Sequence, residues 1–204
     1  MVSEIRIYME GGGNTNDGRR KLRNGMAVLL AKLKKKANDK GIGFKIIAAG
    51  SRDEARRAFR IAQTNSSNML NILLVDAEDR VSGSPIEHLR QRDNWDLSNT
   101  EMDQVYLMAP TMEAWIVADI EALQDFYGAG LNQNPIPRRT NIEETSKSEI
   151  ENALNNATKN TTKGIYKKID HGTELLGKIK PDTLKDKAPE FKRFWETIDK
   201  KLDE

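Results

Sequence analysis

Cysteine is absent from this 204-residue chain, and histidine occurs only twice, as His88 and His171. Without thiolates there is no disulfide and no cysteine-ligated metal, and two imidazoles are too few for a structural zinc. A metal would have to be held by carboxylates, which selects hard divalent ions such as Mg²⁺ or Mn²⁺. No run of eighteen apolar residues occurs, so no membrane-spanning helix is expected. The first residues lead straight into the strand-like Ile5-Arg6-Ile7-Tyr8-Met9 and lack a signal-peptide core. With the missing cysteines, this agrees with residence in a reducing cytoplasm. Internal repeats and low-complexity tracts are lacking too.

What is present is charge: 31% of residues are charged against 37% apolar, with a net charge of only +2. That balance suits a globular chain holding one medium domain, or one domain and a helical extension. The charge is unevenly spread. Arg19-Arg20-Lys21-Arg23, Lys32 with Lys34-Lys35-Lys36, and the lysines from Lys159 to Lys168 form basic clusters, while acid gathers at Asp76 to Asp103 and Glu143 to Glu151. Basic clusters beside an acidic pocket suit a polyanion bound through a metal, although each cluster alone also reads as a solvated helix face.

The chain reads as strand, helix, strand, helix, strand. Residues 4–9 alternate as a first strand, ending at Glu10 and Gly11-Gly12-Gly13. Leu22, Met26, Leu29, Leu30, Leu33 and Ala37 recur at helical spacing over roughly 20–38. Phe44 to Ala49 is a second strand, and Ser51 with Glu54 is a capping box opening a helix on Ala55, Ala58, Phe59 and Ala62. Ile72-Leu73-Leu74-Val75 is an apolar run suited to a strand buried on both faces. This order predicts an α/β fold with a mostly parallel four-stranded sheet and right-handed crossovers, the fourth strand being Val105 to Ala109. Thr111 is placed to cap the helix carrying Glu113, Trp115, Ile116 and Val117, and a second helix runs to Tyr127. Residues 129–145 read as a linker or exposed loop, and 146–204 as helical, with a further capping box at Ser146 and Glu149. The expected division is an α/β domain over 1–128 and a helical C-terminal extension over 129–204 packed on it. Trp115, Trp195 and Tyr166 fall on apolar stripes and are expected in the core. Trp95 lies in polar surroundings and is expected as a stacking or partner contact.

The chemistry concentrates where strands end in acid. Asp76 and Glu78 follow the third strand two residues apart, so an extended chain projects both to one side. Acids are also ordinary strand-exit residues. Glu10 ends the first strand; if strands one and three are neighbours, with strand two outside, three carboxylates meet at the sheet's carboxyl edge, where ligands of open parallel sheets bind. Like charges at 4 Å repel by about 4 kcal/mol at an effective dielectric of 20, so convergence calls for a cation. Glu113 is a further acidic candidate, equally explained by a favourable place at a helix start. Gly11 and Gly12 would let backbone N–H groups approach a phosphate, although neither a Walker A nor a dinucleotide pattern is met. Arg52, Lys168 and His171 are candidates for phosphate contact, Lys168 also for neutralising charge in a transition state. Each of the three is as well explained as a surface group.

Glu at the end of strand one with Asp-x-Glu at the end of strand three resembles the signature of toprim domains. More closely, the chain is similar to a bacterial toprim-like family of unknown function, DUF4276, related by this likeness to the nuclease domain of overcoming-lysogenization-defect proteins. The matching stretches are Tyr8-Met9-Glu10-Gly11-Gly12, Gly50 to Phe59, Leu73 to Glu78, Leu107-Met108, Met112 to Trp115, Ala118-Asp119, Tyr127-Gly128, and Tyr166, Lys168 and His171 ahead of Leu175-Leu176. Asp79-Arg80 departs from the small residue such proteins commonly carry after the acidic pair. The resemblance implies a toprim-like Rossmannoid fold and a metal-dependent nuclease for DNA or RNA in a phage-defence setting. It implies Glu10, Asp76 and Glu78 as ligands of Mg²⁺ or Mn²⁺, and a neighbouring ATPase or a second copy of the chain as partner. Two other classes remain: a non-catalytic regulatory subunit that docks on such an ATPase, and a methyltransferase, in which Asp76 and Glu78 would have no evident task.

Overall fold

The computed structural model describes residues 2–64 and 68–204. Four strands, β1 (Glu4–Glu10), β2 (Gly43–Gly50), β3 (Met69–Asp76) and β4 (Val105–Met108), form one sheet in the order β2-β1-β3-β4. Every pairing is parallel, so the sheet is wholly rather than mostly parallel. Parallel strands need long crossovers. The helices α1 (Asn16–Leu29), α2 (Ala31–Asp39), α3 (Arg52–Gln63) and α4 (Pro85–Asp93) supply them.

Strand periodicity divides the molecule into two cores. Ile5, Ile7 and Met9 of β1, Ile72 and Leu74 of β3, and Tyr106 and Met108 of β4 enter a larger core with α1 and α2. Tyr8, Leu73, Val75, Val105 and Leu107 enter a smaller one with Ala55 and Phe59 of α3 and Leu89 of α4. The larger core also takes in α5 (Met112–Ala118), α6 (Ile120–Tyr127), α7 (Lys147–Thr158), α8 (Thr173–Leu176), α9 (Pro181–Lys187) and α10 (Pro189–Lys201). Within it Trp115 meets Phe191 edge-on at 4.9 Å and Tyr106 meets Phe194 at 5.2 Å. Burying each such side chain contributes about 1.5–3 kcal/mol. The C-terminal helices thus share one core with the sheet. Among the described residues no helix is long and apolar enough to cross a membrane.

Several local expectations change. The helix expected over 20–38 is two helices meeting at Leu30, whose ψ of 16° leaves the helical range while the apolar stripe stays buried. Residues 129–145 are irregular but not an exposed linker: Ile136 and Ile142 are buried in the larger core, and Ile142–Glu144 form a 3₁₀ turn. Trp95 is 3% exposed, covered by the guanidinium groups of Arg52 and Arg56 at 5.0 and 5.2 Å from its ring. Its polar sequence neighbours give no sign of these two arginines, which come from α3. The capping box at Ser51 and Glu54 forms in full, whereas at Ser146 only the Ser hydroxyl caps and Glu149 turns to Arg139.

Candidate metal centre

The carboxyl ends of the two central strands put the acids together. In the β1–β3 register Met9 lies opposite Leu74, so Glu10 and Asp76 leave adjacent strands at nearly one level. One oxygen each from Glu10, Asp76 and Glu78 lies within 4.8 Å of the others. An octahedral shell with oxygens at about 2.1 Å spans about 4.2 Å. A common Mg²⁺ or Mn²⁺ therefore fits this donor set after a sub-ångström adjustment, and the hard carboxylate donors match those ions.

Asp76 is the most constrained of the three. It is 2% exposed; its Oδ1 accepts the backbone N–H of Met112 at 2.8 Å and its Oδ2 accepts from Lys168 Nζ at 3.0 Å. The first of these is the N-terminal capping bond of α5, expected from Thr111, whose buried hydroxyl instead has no partner. Glu78 does not reach the cluster by plain strand alternation. Regular strand ends at Asp76, and Glu78 sits at φ 69°, a left-handed conformation that costs a non-glycine residue about 1–2 kcal/mol. The conformation is held by its N–H on Pro110 O at 2.7 Å, by Ala77 N–H on Met108 O, and by buried His88, whose Nε2 lies 2.9 Å from Ala77 O.

Electrostatics separates these acids. Burial and then the charge of Asp76 push Glu10 up to about 6. Burial also raises the Asp76 carboxyl, against the pull of Lys168. Burial would raise Glu78 too, but the Lys147 ammonium bonded to it holds it below the usual carboxylate range. Glu113, 5% exposed, faces the same cluster: its Oε2 accepts from Lys168 at 3.3 Å and its Oε1 from Tyr166 Oη at 3.2 Å. Burial and the adjacent Glu113 charge keep that phenol protonated. Burial opposes the Lys168 charge, yet Asp76 and Glu113 outweigh it and hold the ammonium above the ordinary lysine range.

The remaining candidates divide. A cavity of about 240 Å³ is lined by Glu10, Asp76, Lys168, the Gly11-Gly12-Gly13 turn and the start of α3 at Ser51. Gly12 has φ 82°, and a Cβ there would lie 2.7 Å from Arg19 Cα, so this glycine is needed for close packing on α1. The Gly11 N–H is spent on Gly50 O at 2.8 Å and is not free for a phosphate. Arg52 lies at the centre but does not offer an open fork. Its guanidinium holds Asp93 through two bonds at 3.1 and 2.7 Å, Glu10 at 3.2 Å, and the carbonyl of Asp76. It fixes the carboxylates rather than waiting for a ligand. His171 lies outside this cavity, with Nδ1 3.0 Å from Tyr127 Oη. Asp93, Lys147 and the hydroxyl of Tyr166 were not foreseen as parts of the site. Their partners are 41, 69 and 53 positions away, and no local pattern announces them.

The five carboxylates of Glu10, Asp76, Glu78, Asp93 and Glu113 thus meet four cations, Arg52, Arg92, Lys147 and Lys168, one positive charge short of balance. No curated protein and no solved structure matches the chain. A family profile does, over residues 10–199, a span that begins at Glu10 and includes every residue of this site. The chain belongs to that family, described as a domain of unknown function, DUF4276.

Proposed function

We propose that the chain is a metal-dependent phosphodiesterase, a toprim-type nuclease acting on DNA or RNA. The observation that carries this reading is the meeting of Glu10, Asp76 and Glu78 at the carboxyl edge of adjacent parallel strands. Mg²⁺ or Mn²⁺ held there would supply an activated water and charge stabilisation of a leaving oxygen. The chain's own groups have separable tasks. Arg52 and the α5 N-terminus orient Glu10 and Asp76 before any ligand arrives. Lys168 reaches the cavity from a segment outside the sheet, and its ammonium would shift from Asp76 toward a bound phosphate once a metal satisfies that carboxylate. Tyr166 holds one oxygen of Glu113, whose other oxygen accepts from Lys168. A nearby ATPase as partner and a role in phage defence are part of this proposal through the toprim likeness.

The test is incubation of the purified chain with plasmid DNA and with bulk tRNA, in Mg²⁺, Mn²⁺ or EDTA, beside a Glu10→Ala control. Metal-dependent cleavage that disappears in the control is expected; cleavage unchanged in Glu10→Ala would overturn the reading. One observation favours a second reading, a non-catalytic subunit of such an ATPase. Lys168 already bridges Asp76 and Glu113, so a lysine can serve as the resident cation. In that case millimolar Mg²⁺ would leave the thermal stability of the chain unchanged.

A further inference from the structure

Beside the acidic cavity lies a groove of about 700 Å³, between α1, α6 and α8. The two share Thr173, and the wall between them is the π-helical turn Lys168–Gly172. Such turns put successive side chains on unusual bearings. Here Lys168 enters the acidic cavity while Asp170 and His171 line the groove. At the base of the groove α1 and α8 pack closely: at Gly25 a Cβ would lie 2.0 Å from Thr173 O, so a residue without a side chain is needed there.

The lining has two characters. Lys21, Asn24 and Val28 are spaced three and four apart on α1 and turn one face to the groove, away from the buried Leu22, Met26 and Leu29. Val28 is 56% exposed and lines the groove together with Phe126, which is 6% exposed. Around it stand the ammonium groups of Lys163, 4.6 Å from the Phe126 ring, and Lys178, neither of them in an ion pair among the described residues. Lys21 is occupied by Asp17 and Asp170, leaving Glu174 as the remaining acid of the lining. An apolar floor with cations at its rim fits a base attached to a phosphate. Pockets for such ligands span about 300–1,000 Å³.

We infer that this groove binds the unpaired base next to the phosphate held at the acidic cavity, making the ligand a single-stranded polynucleotide. The inference rests on the nucleic-acid reading of the acidic site. Adjacency of the two hollows, which share Thr173, lets one strand lie over the π turn, its phosphate on one side and its base on the other. A base stacked and paired in a duplex cannot enter without being extruded, at a cost of a few kcal/mol.

The experiment is fluorescence anisotropy in EDTA with fluorescein-labelled dT10 and rU10, and a 20-base-pair duplex, on the intact chain. The variants are Val28→Glu and Lys163→Ala/Lys178→Ala, all at exposed positions, with Arg57→Ala/Arg60→Ala on the far helix α3 as control and circular dichroism to verify folding. Each groove variant should weaken single-strand binding by at least about fivefold, the low end for one stacked base. The double lysine variant should also flatten the salt dependence by about 1.4 in log–log slope. The α3 control should bind as the parent does, and the duplex should bind more weakly than either single strand. Unchanged affinity in the groove variants, loss confined to the α3 variant, or equal affinity for the duplex would overturn the inference. Because EDTA removes cleavage from the readout, groove-dependent binding by a chain that cuts nothing would retain this inference and sink the nuclease reading.

Discussion

Strand β1 begins and ends with glutamate, and the two ends behave oppositely. At the amino edge of the sheet, Glu4 meets Lys45 at 2.6 Å and Arg6 at 2.6 Å, and those bonds hold its carboxyl below the usual range. At the carboxyl edge, Glu10 is pushed up to about 6 by burial and by Asp76, and its one cation, Arg52, is shared with Asp93. The first glutamate is neutralised by its own neighbourhood. The second is kept short of positive charge by the same strand, six residues later. A parallel sheet gathers its strand ends at one edge, so repulsion accumulates there unless a ligand relieves it.

The contrast can be sharpened most strongly with metal. Saturating Mg²⁺, at about a hundred times its dissociation constant, should stabilise the native chain by about 2.7 kcal/mol. For a chain of this size that is about 5–10 °C in Tm, read by differential scanning fluorimetry. Glu10→Ala should abolish the rise, and Glu4→Ala should keep it. An equal loss in both variants would erase the distinction between the two edges.

A smaller effect separates the two glutamates without metal. In EDTA, Glu10 carries a proton more readily in the folded than in the unfolded chain, whose carboxyl titrates near the ordinary 4.5. Its contribution is therefore fully present below pH 4.5 and is lost as pH rises through about 6. Glu4 has the opposite sign: its contribution is present above its unfolded value and is lost as pH falls through its depressed folded one. Urea unfolding at pH 8 in EDTA should show Glu10→Gln more stable than the parent by on the order of 2 kcal/mol. Glu4→Gln should be less stable. The same sign for both would break the comparison.

The smallest expected effect concerns Lys168, whose side chain is 48% exposed and so partly screened. Lys168→Met should lower stability in EDTA by about 1 kcal/mol, through Asp76 and Glu113 left facing each other. Mg²⁺ should recover that loss. A deficit that persists in Mg²⁺ would make Lys168 a packing residue instead.

Much of this arrangement is legible in the sequence because parallel sheets follow strict rules. The apolar run Ile72 to Val75 can be a strand buried on both faces, and a parallel sheet with strand two outside, the order found here, sets β1 beside β3 with their acids at one edge. What the sequence conceals is partnership over distance. Arg52 reads as a free cation because Asp93 is 41 positions away, and Trp95 as a surface ring because the arginines covering it lie on α3. Ile136 and Ile142, isolated in a polar stretch, give no periodicity that would mark them as core. The left-handed turn at Glu78 is hidden for the same reason, since Pro110 and His88 fix it from other elements.

The bond from Asp76 to the first N–H of α5 has a further consequence. All seven residues of that helix are buried, so the same carboxylate belongs both to the acidic cluster proposed to bind metal and to the foundation of the larger core. Selection on folding and selection on chemistry therefore act on one atom group. A descendant that gave up its reaction would still be obliged to keep Asp76, while Glu10, which destabilises the empty site, would be released and soon replaced. Within such a lineage the informative position is the expendable acid: an intact Glu10 marks a site still in use, and Asp76 alone marks only a fold that stands.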